Sequence, residues 1–357
     1  MEMPNATRVP LSVRAQEAAV GLLSRLPTAV RARMAGPEVV VDDARLAVDA
    51  RLLIRSLGAR KSALVVDDSP ELSRAALERS APMLRAGRRP SQAVGVSDVR
   101  LRGAQGLLDA TLYVPASGRD RSGALVFFHG GGWAIGSRAG YDHVGRFLAE
   151  RTGHRVLSVD YRLVPEAPFP AAVDDALAAF DDTVARAREF GVDPDRIVVG
   201  GDSAGGTLAA VTARRAADRG DGPVPVGQWL LYPATDLAAR HPSRDRFGQG
   251  FLLTDEDIVW FQDHYVPAGV DRTDPLVSVL YGTVAAATPP AHLVTAGFDP
   301  LRDEGERYAE KLRAAGVPVE AVREADLPHG FLPFVHLGPR FGEAVSASAE
   351  ALRRMLD

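Results

Sequence analysis

The chain has 357 residues, 46% hydrophobic and 25% charged, a balance typical of a globular protein in water. Its 42 basic and 46 acidic side chains leave a net charge of −4, which favours neither nucleic acid nor an anionic membrane as partner. There is no cysteine, so disulfides and thiolate chemistry are both excluded. The start, Met1 to Ala6, lacks the basic and apolar regions of a signal peptide, and no uninterrupted apolar stretch is long enough to span a bilayer. A cytoplasmic protein without a membrane span is therefore expected.

Residues 1–92 carry helical rather than strand patterning. One stretch runs roughly from Leu11 to Met34 and is broken near Pro27. A second covers Asp42 to Leu57, with Val48, Leu52, Leu53 and Leu57 as its apolar stripe. A third covers Pro70 to Leu84, with Ser69 as its N-cap. The patterning alone allows either a small packing domain or part of a lid over a pocket.

From residue 93 to 357 the pattern is that of a catalytic α/β domain. Ala93 to Leu101 and Leu107 to Val114 read as a hairpin around Gly103 and Gly106. Strand and helix then alternate. Strands are expected at Leu125–Phe128, Val156–Tyr161, Ile197–Gly200, Trp229–Tyr232, His292–Ala296 and Val319–Arg323. The helices between and after them start near Tyr141, Ala171, Gly206, Arg302 and Gly342. Such alternation indicates a mostly parallel sheet flanked by helices. Residues 237–285 interrupt it with a helix that Thr254 could cap, carrying Trp260 and Tyr265. An insertion between late strands usually lies above the strand C-termini, where open α/β sheets bind ligands.

Two of these strands end in glycine clusters. After Ile197–Gly200 comes Gly201-Asp202-Ser203-Ala204-Gly205-Gly206, a pattern suited to a nucleophile held on a sharp strand-to-helix turn. After Leu125–Phe128 comes His129-Gly130-Gly131-Gly132-Trp133. Glycines there can present consecutive N–H groups to an oxyanion. Gly131 and Gly132 are the expected donors, joined by the N–H of Ala204, while His129, Gly130 and Asp202 support them.

A serine nucleophile needs a base, and the base needs an orienting acid. In this strand order both should follow late strands, acid before base. Of eight histidines, His129 braces the glycine loop. His143, His154, His241 and His264 precede the late strands, His292 opens one, and His336 lies by a helix. His329, in a turn-rich loop after Val319–Arg323, is the expected base. Asp299 directly follows His292–Ala296 and is the expected acid. Asp303 is a second choice, placed in a helical first turn where it would offset the dipole, and Asp326 belongs to the base's own loop. Trp133, Phe251, Trp260 and Phe331 are candidate pocket residues, each of which could equally be core.

These segments together resemble the bacterial hormone-sensitive lipase family (family IV) of α/β-hydrolase esterases. The matching stretches are His129–Trp133, Asp160–Glu166, Phe169–Ala172, Gly201–Gly206, Asp299–Asp303 and His329–Phe331. The resemblance implies an α/β-hydrolase fold with a helical cap, built from residues 1 to about 60 and about 237–285. It implies a Ser203–Asp299–His329 triad and the same three oxyanion donors. It further implies a carboxylesterase for short- to medium-chain acyl esters and water, without a cofactor, often dimeric; no metal site is assigned. The N-terminal region is longer than the family usually carries. Within Asp160–Glu166, Asp160, Tyr161, Arg162 and Glu166 are expected to lock a turn under the site by buried charge pairing. An amidase or peptidase could use the same residues, and a catalytically dead receptor could share the fold.

Overall fold

The computed structural model describes residues 21–22, 26–58, 62, 64–85, 92–116 and 121–357. Most of the first expected helix, from Leu11 onward, lies outside them. Beyond Pro27 the chain forms helix α1 (Thr28–Ala35). The second expected helix starts later than its pattern suggests. Asp42 and Asp43 both take left-handed backbone angles, φ 51° and 63°. They turn a two-residue hairpin between β1 (Val40–Val41) and β2 (Ala44–Arg45), and helix α2 (Val48–Leu57) begins only after it. Helix α3 (Pro70–Leu84) has the expected limits: the Ser69 side chain accepts the Leu72 N–H, and Pro70 occupies the first turn.

The hairpin from residue 93 forms as β3 (Val94–Gly103) and β4 (Gly106–Pro115). Then follow β5 (Ser122–Phe128), α4 (Asp142–Thr152), β6 (Arg155–Val159) and α5 (Ala171–Ala185). Strand β7 (Val192–Asp202) starts five residues earlier than its apolar run and feeds helix α6 (Ala204–Asp218). After β8 (Gly227–Leu231) the insertion carries α7 (Pro242–Phe247) and α8 (Asp255–Tyr265). Thr254 caps α8 in a reciprocal capping box with Asp257, as the local sequence foretells. The chain closes with β9 (Ala291–Phe298), α9 (Arg302–Ala314), β10 (Val319–Pro328) and α10 (Pro339–Leu356).

Eight strands form one sheet in the order β10-β9-β8-β7-β5-β6-β4-β3. Only β3 and β4 pair antiparallel to their neighbours. Side chains alternate between the two faces. Val126, Phe128, Val199 and Leu230 join the core beneath α5, α6 and α9. Leu125, Phe127, Val198 and Trp229 join the core beneath α4 and α10. Because β5, β7, β9 and β10 run parallel, their last residues meet at one edge of the sheet. The residues that follow are His129, Ser203, Asp299 and His329.

The N-terminal elements grip this edge from two sides. Arg74 on α3 donates to the Ala134 and Val164 carbonyls at 2.7 and 2.6 Å, behind the glycine loop. Before α2, the Ala47 N–H donates to the Asp326 carbonyl at 2.9 Å, three residues ahead of His329. Among the described residues no helix is long and apolar enough to cross a membrane.

Candidate active site

Ser203 is the hinge between β7 and α6, with φ 54° and ψ −122°, a strained conformation for a residue with a side chain. The turn is close-packed from below. A Cβ on Gly205 would lie 1.9 Å from the Phe128 carbonyl oxygen at the end of β5, so only glycine fits. The strain holds the Ser203 hydroxyl half-exposed at the sheet edge, 3.0 Å from His329 Nε2. His329 Nδ1 lies 2.8 Å from Asp299 Oδ2. Asp299 is fully buried, and its Oδ1 accepts the Leu301 N–H at 2.7 Å. Facing the Asp299 oxygen, Nδ1 is the ring nitrogen placed to donate, which leaves Nε2 free to accept from the serine. The three expected residues are thus brought into one hydrogen-bonded chain. Asp303 instead accepts the Ser243 N–H at the start of α7, and Asp326 pairs with Arg340.

The glycine loop turns tightly over the elbow. The Gly131 carbonyl accepts N–H groups from Ala134 and Ile135, and Gly132 and Trp133 are both left-handed, φ 58° and 59°. Above Gly132 sits Phe261 of α8: a Cβ there would fall 2.1 Å from its ring. His129 lies behind the loop, stacked on Tyr161 at 4.5 Å and bonded through Nδ1 to the Gly130 carbonyl. Burial pushes its pKa down, so it is held as the neutral imidazole.

Asp202 joins elbow and loop. Its Oδ1 accepts the Gly130 N–H at 2.8 Å, and its Oδ2 accepts the hydroxyls of Tyr141 and Tyr232 at 3.1 and 3.3 Å. Burial raises its pKa to about 6 against these hydrogen bonds. Neither tyrosine stands among the residues that the sequence points to. Tyr232 directly follows β8, so the rule that finds Ser203 and Asp299 at strand ends also reaches it. Tyr141 carries no such signal.

The four candidate pocket aromatics do not form one wall. Trp133 is buried and stacked on Tyr265 of α8 at 3.9 Å, and the half-buried Trp260 meets Phe261 edge-on. Both belong to the core under α5 and α6. Phe331 is fully buried on the opposite face of the sheet, its ring edge-on to Tyr232, and Phe251 packs there against Phe298. Phe331 is therefore core beneath the histidine. The residues at 160–166 do pair, but mostly nearer the surface than expected. Arg162 grips the fully buried Asp175, Asp160 holds Arg138, and Glu166 meets Arg74 at an exposed position. Tyr161 donates to the His129 carbonyl at 2.8 Å. Among the described residues no cluster of histidine and carboxylate side chains could hold a metal ion.

A family profile described as the alpha/beta hydrolase fold matches residues 125–333. The carboxylic ester hydrolase LipN of Mycobacterium tuberculosis is 42% identical over 346 residues, covering 94% of this chain and 90% of that one. The ethyl acetate hydrolase of Pseudomonas putida is 38% identical over 65% of this chain and 73% of its own. Among solved structures, a hyperthermophilic esterase of the archaeon Pyrobaculum calidifontis superposes with a TM-score of 0.81. It is 38% identical and covered over 98% of its length, against 87% of this chain.

Proposed function

The chain belongs to the α/β-hydrolase family, as an esterase of the hormone-sensitive lipase (family IV) type, and we propose that it acts through an acyl-enzyme on Ser203. The observation that carries this reading is the unbroken chain Ser203 Oγ, His329 Nε2, His329 Nδ1, Asp299 Oδ2, assembled from the ends of β7, β9 and β10. As Ser203 Oγ bonds to the ester carbonyl carbon, its proton passes to His329 Nε2. The oxyanion takes the N–H groups of Gly131, Gly132 and Ala204, each worth about 3 kcal/mol in the transition state. His329 then returns the proton to the leaving alcohol. A water attacks the acyl carbon in the same way, regenerating Ser203. An organophosphonate ester is expected to add one phosphonyl group to the intact protein, mapped to the peptide containing Ser203. Absence of the adduct, or its location on another residue, overturns the assignment.

The acyl groups favoured by this reading are short to medium. A relative named for ethyl acetate supports the short end, and the Phe261 ring against Gly132 supports a floor close to the oxyanion donors. Residues 237–285 serve in this reading as the second part of a cap, the N-terminal region supplying the first. Gly132→Ala is expected to lower kcat by about 100-fold, because its Cβ collides with the Phe261 ring and displaces the loop. Phe261→Ala in the same chain should restore much of that loss, since the backbone at Gly132 admits alanine at only about 1–2 kcal/mol. Phe261→Ala alone should shift the preference of kcat/KM toward longer acyl chains. If Gly132→Ala is equally impaired with and without Phe261, crowding by that ring is not what displaces the loop.

A further inference from the structure

We propose that Asp202 is a positioning residue that, with Tyr232, locks the oxyanion loop, the nucleophile elbow and the base loop into one mutual geometry. The proposal rests on the reading of Ser203 as nucleophile.

Asp202 is the last residue of β7 and so moves with Ser203. Its Oδ1 holds the Gly130 N–H at 2.8 Å, which fixes the oxyanion loop to the elbow. The loop backbone lies flat on the carboxylate: a Cβ at Gly130 would sit 2.6 Å from Oδ2. That Oδ2 accepts from Tyr232, whose hydroxyl in turn accepts the Leu332 N–H at 3.0 Å. Leu332 lies just beyond His329. The Tyr232 ring meets His329 edge-on at 4.8 Å and Phe331 at 4.9 Å, so the same side chain braces the imidazole. Tyr141, at the entry to α4, supplies the third donor at 3.1 Å. One carboxylate therefore reaches all three loops that a hydrolytic step must hold in register.

A purely structural origin accounts poorly for this carboxylate. It is 2% exposed, and among the described residues no lysine or arginine pairs with it. A buried ion without a cationic partner costs stability. The titratable groups that face it are Tyr141, Tyr161, Tyr232 and His329, with His129 stacked behind Tyr161. Burial raises the carboxyl from 3.8 to about 6. Since this folded value exceeds the unfolded one, the stabilising contribution of the protonated acid is complete below about 3.8 and is lost as pH rises through about 6. At neutral pH the fold carries an ionised group that a neutral isostere would relieve. Below about 6 the added proton takes one of the lone pairs that the tyrosines need.

The test is Asp202→Asn, with Tyr232→Phe as second variant, assayed on a short aryl ester between about pH 5 and 9 alongside thermal melts. Asp202→Asn is expected to lower kcat by about 10- to 100-fold with little change in KM. It should melt at or above the wild-type temperature at about pH 8. Its deficit relative to wild type should narrow below about pH 6, where wild-type Asp202 is itself protonated. Tyr232→Phe should lose activity non-additively with it. A kcat within twofold of wild type, a loss matched by a lower melting temperature, or fully additive losses would each overturn the proposal. Ser203→Ala in the same series separates the two readings. If it retains turnover, the nucleophile assignment fails; if it is inactive and Asp202→Asn is unimpaired, only the positioning role fails.

Discussion

Ser203→Ala is expected to lower kcat for a short aryl ester by a factor on the order of 10⁶, to the level that oxyanion stabilisation and binding alone sustain. The substitution removes one oxygen and alters nothing else in the elbow. Alanine can occupy the left-handed conformation at φ 54° at the same cost as serine, so the turn and its packing on Phe128 persist. The melting temperature should stay within error of the wild type, and phosphonate labelling should vanish. Turnover within a factor of ten of wild type would mean that another group attacks the ester.

Asp299→Asn is the second large effect, expected on the order of 10⁴ in kcat. Its direction follows from a hydrogen bond on the far side of the carboxylate. Oδ1 accepts the Leu301 N–H at 2.7 Å, and an asparagine must place its carbonyl oxygen there. Its NH₂ group then faces His329 Nδ1, where the carboxylate oxygen now lies at 2.8 Å. A donor facing Nδ1 drives the imidazole proton to Nε2. That nitrogen then donates toward Ser203 Oγ, 3.0 Å away, and can no longer accept its proton. The geometry is preserved while the tautomer is wrong. The signature is a collapse of kcat without loss of fold, measured by turnover together with circular dichroism. If Asp299→Asn retained more than a tenth of wild-type kcat, the tautomer would be set by some other group.

The N-terminal hairpin shows where a local pattern misleads. Val48, Leu52, Leu53 and Leu57 do mark a helical stripe, but the stripe cannot say where the helix begins. Two adjacent aspartates at left-handed angles decide that, and aspartate tolerates such angles without requiring them. At Ser69 and Thr254 the helix starts coincide with the pattern, because a capping side chain binds a backbone group only three residues away.

Ser203, Asp299 and His329 were readable from the sequence because each comes after an expected strand, and alternating strands and helices oblige those strands to lie parallel. Parallel strands end on one edge, so residues far apart in the chain must converge there whatever the packing details. The same argument reaches the glycines at 130–132. What surrounds them was decided only by tertiary structure. Phe261 lies on Gly132, Tyr265 on Trp133, and Tyr141 and Tyr232 on Asp202, across separations that no periodicity spans. Phe331 and Trp133 are alike in sequence as aromatics beside motif residues, yet they fall on opposite faces of the sheet. Periodicity reports which side of its own strand or helix a residue occupies. Which helix covers that side, and at what distance, depends on the packing of the whole chain.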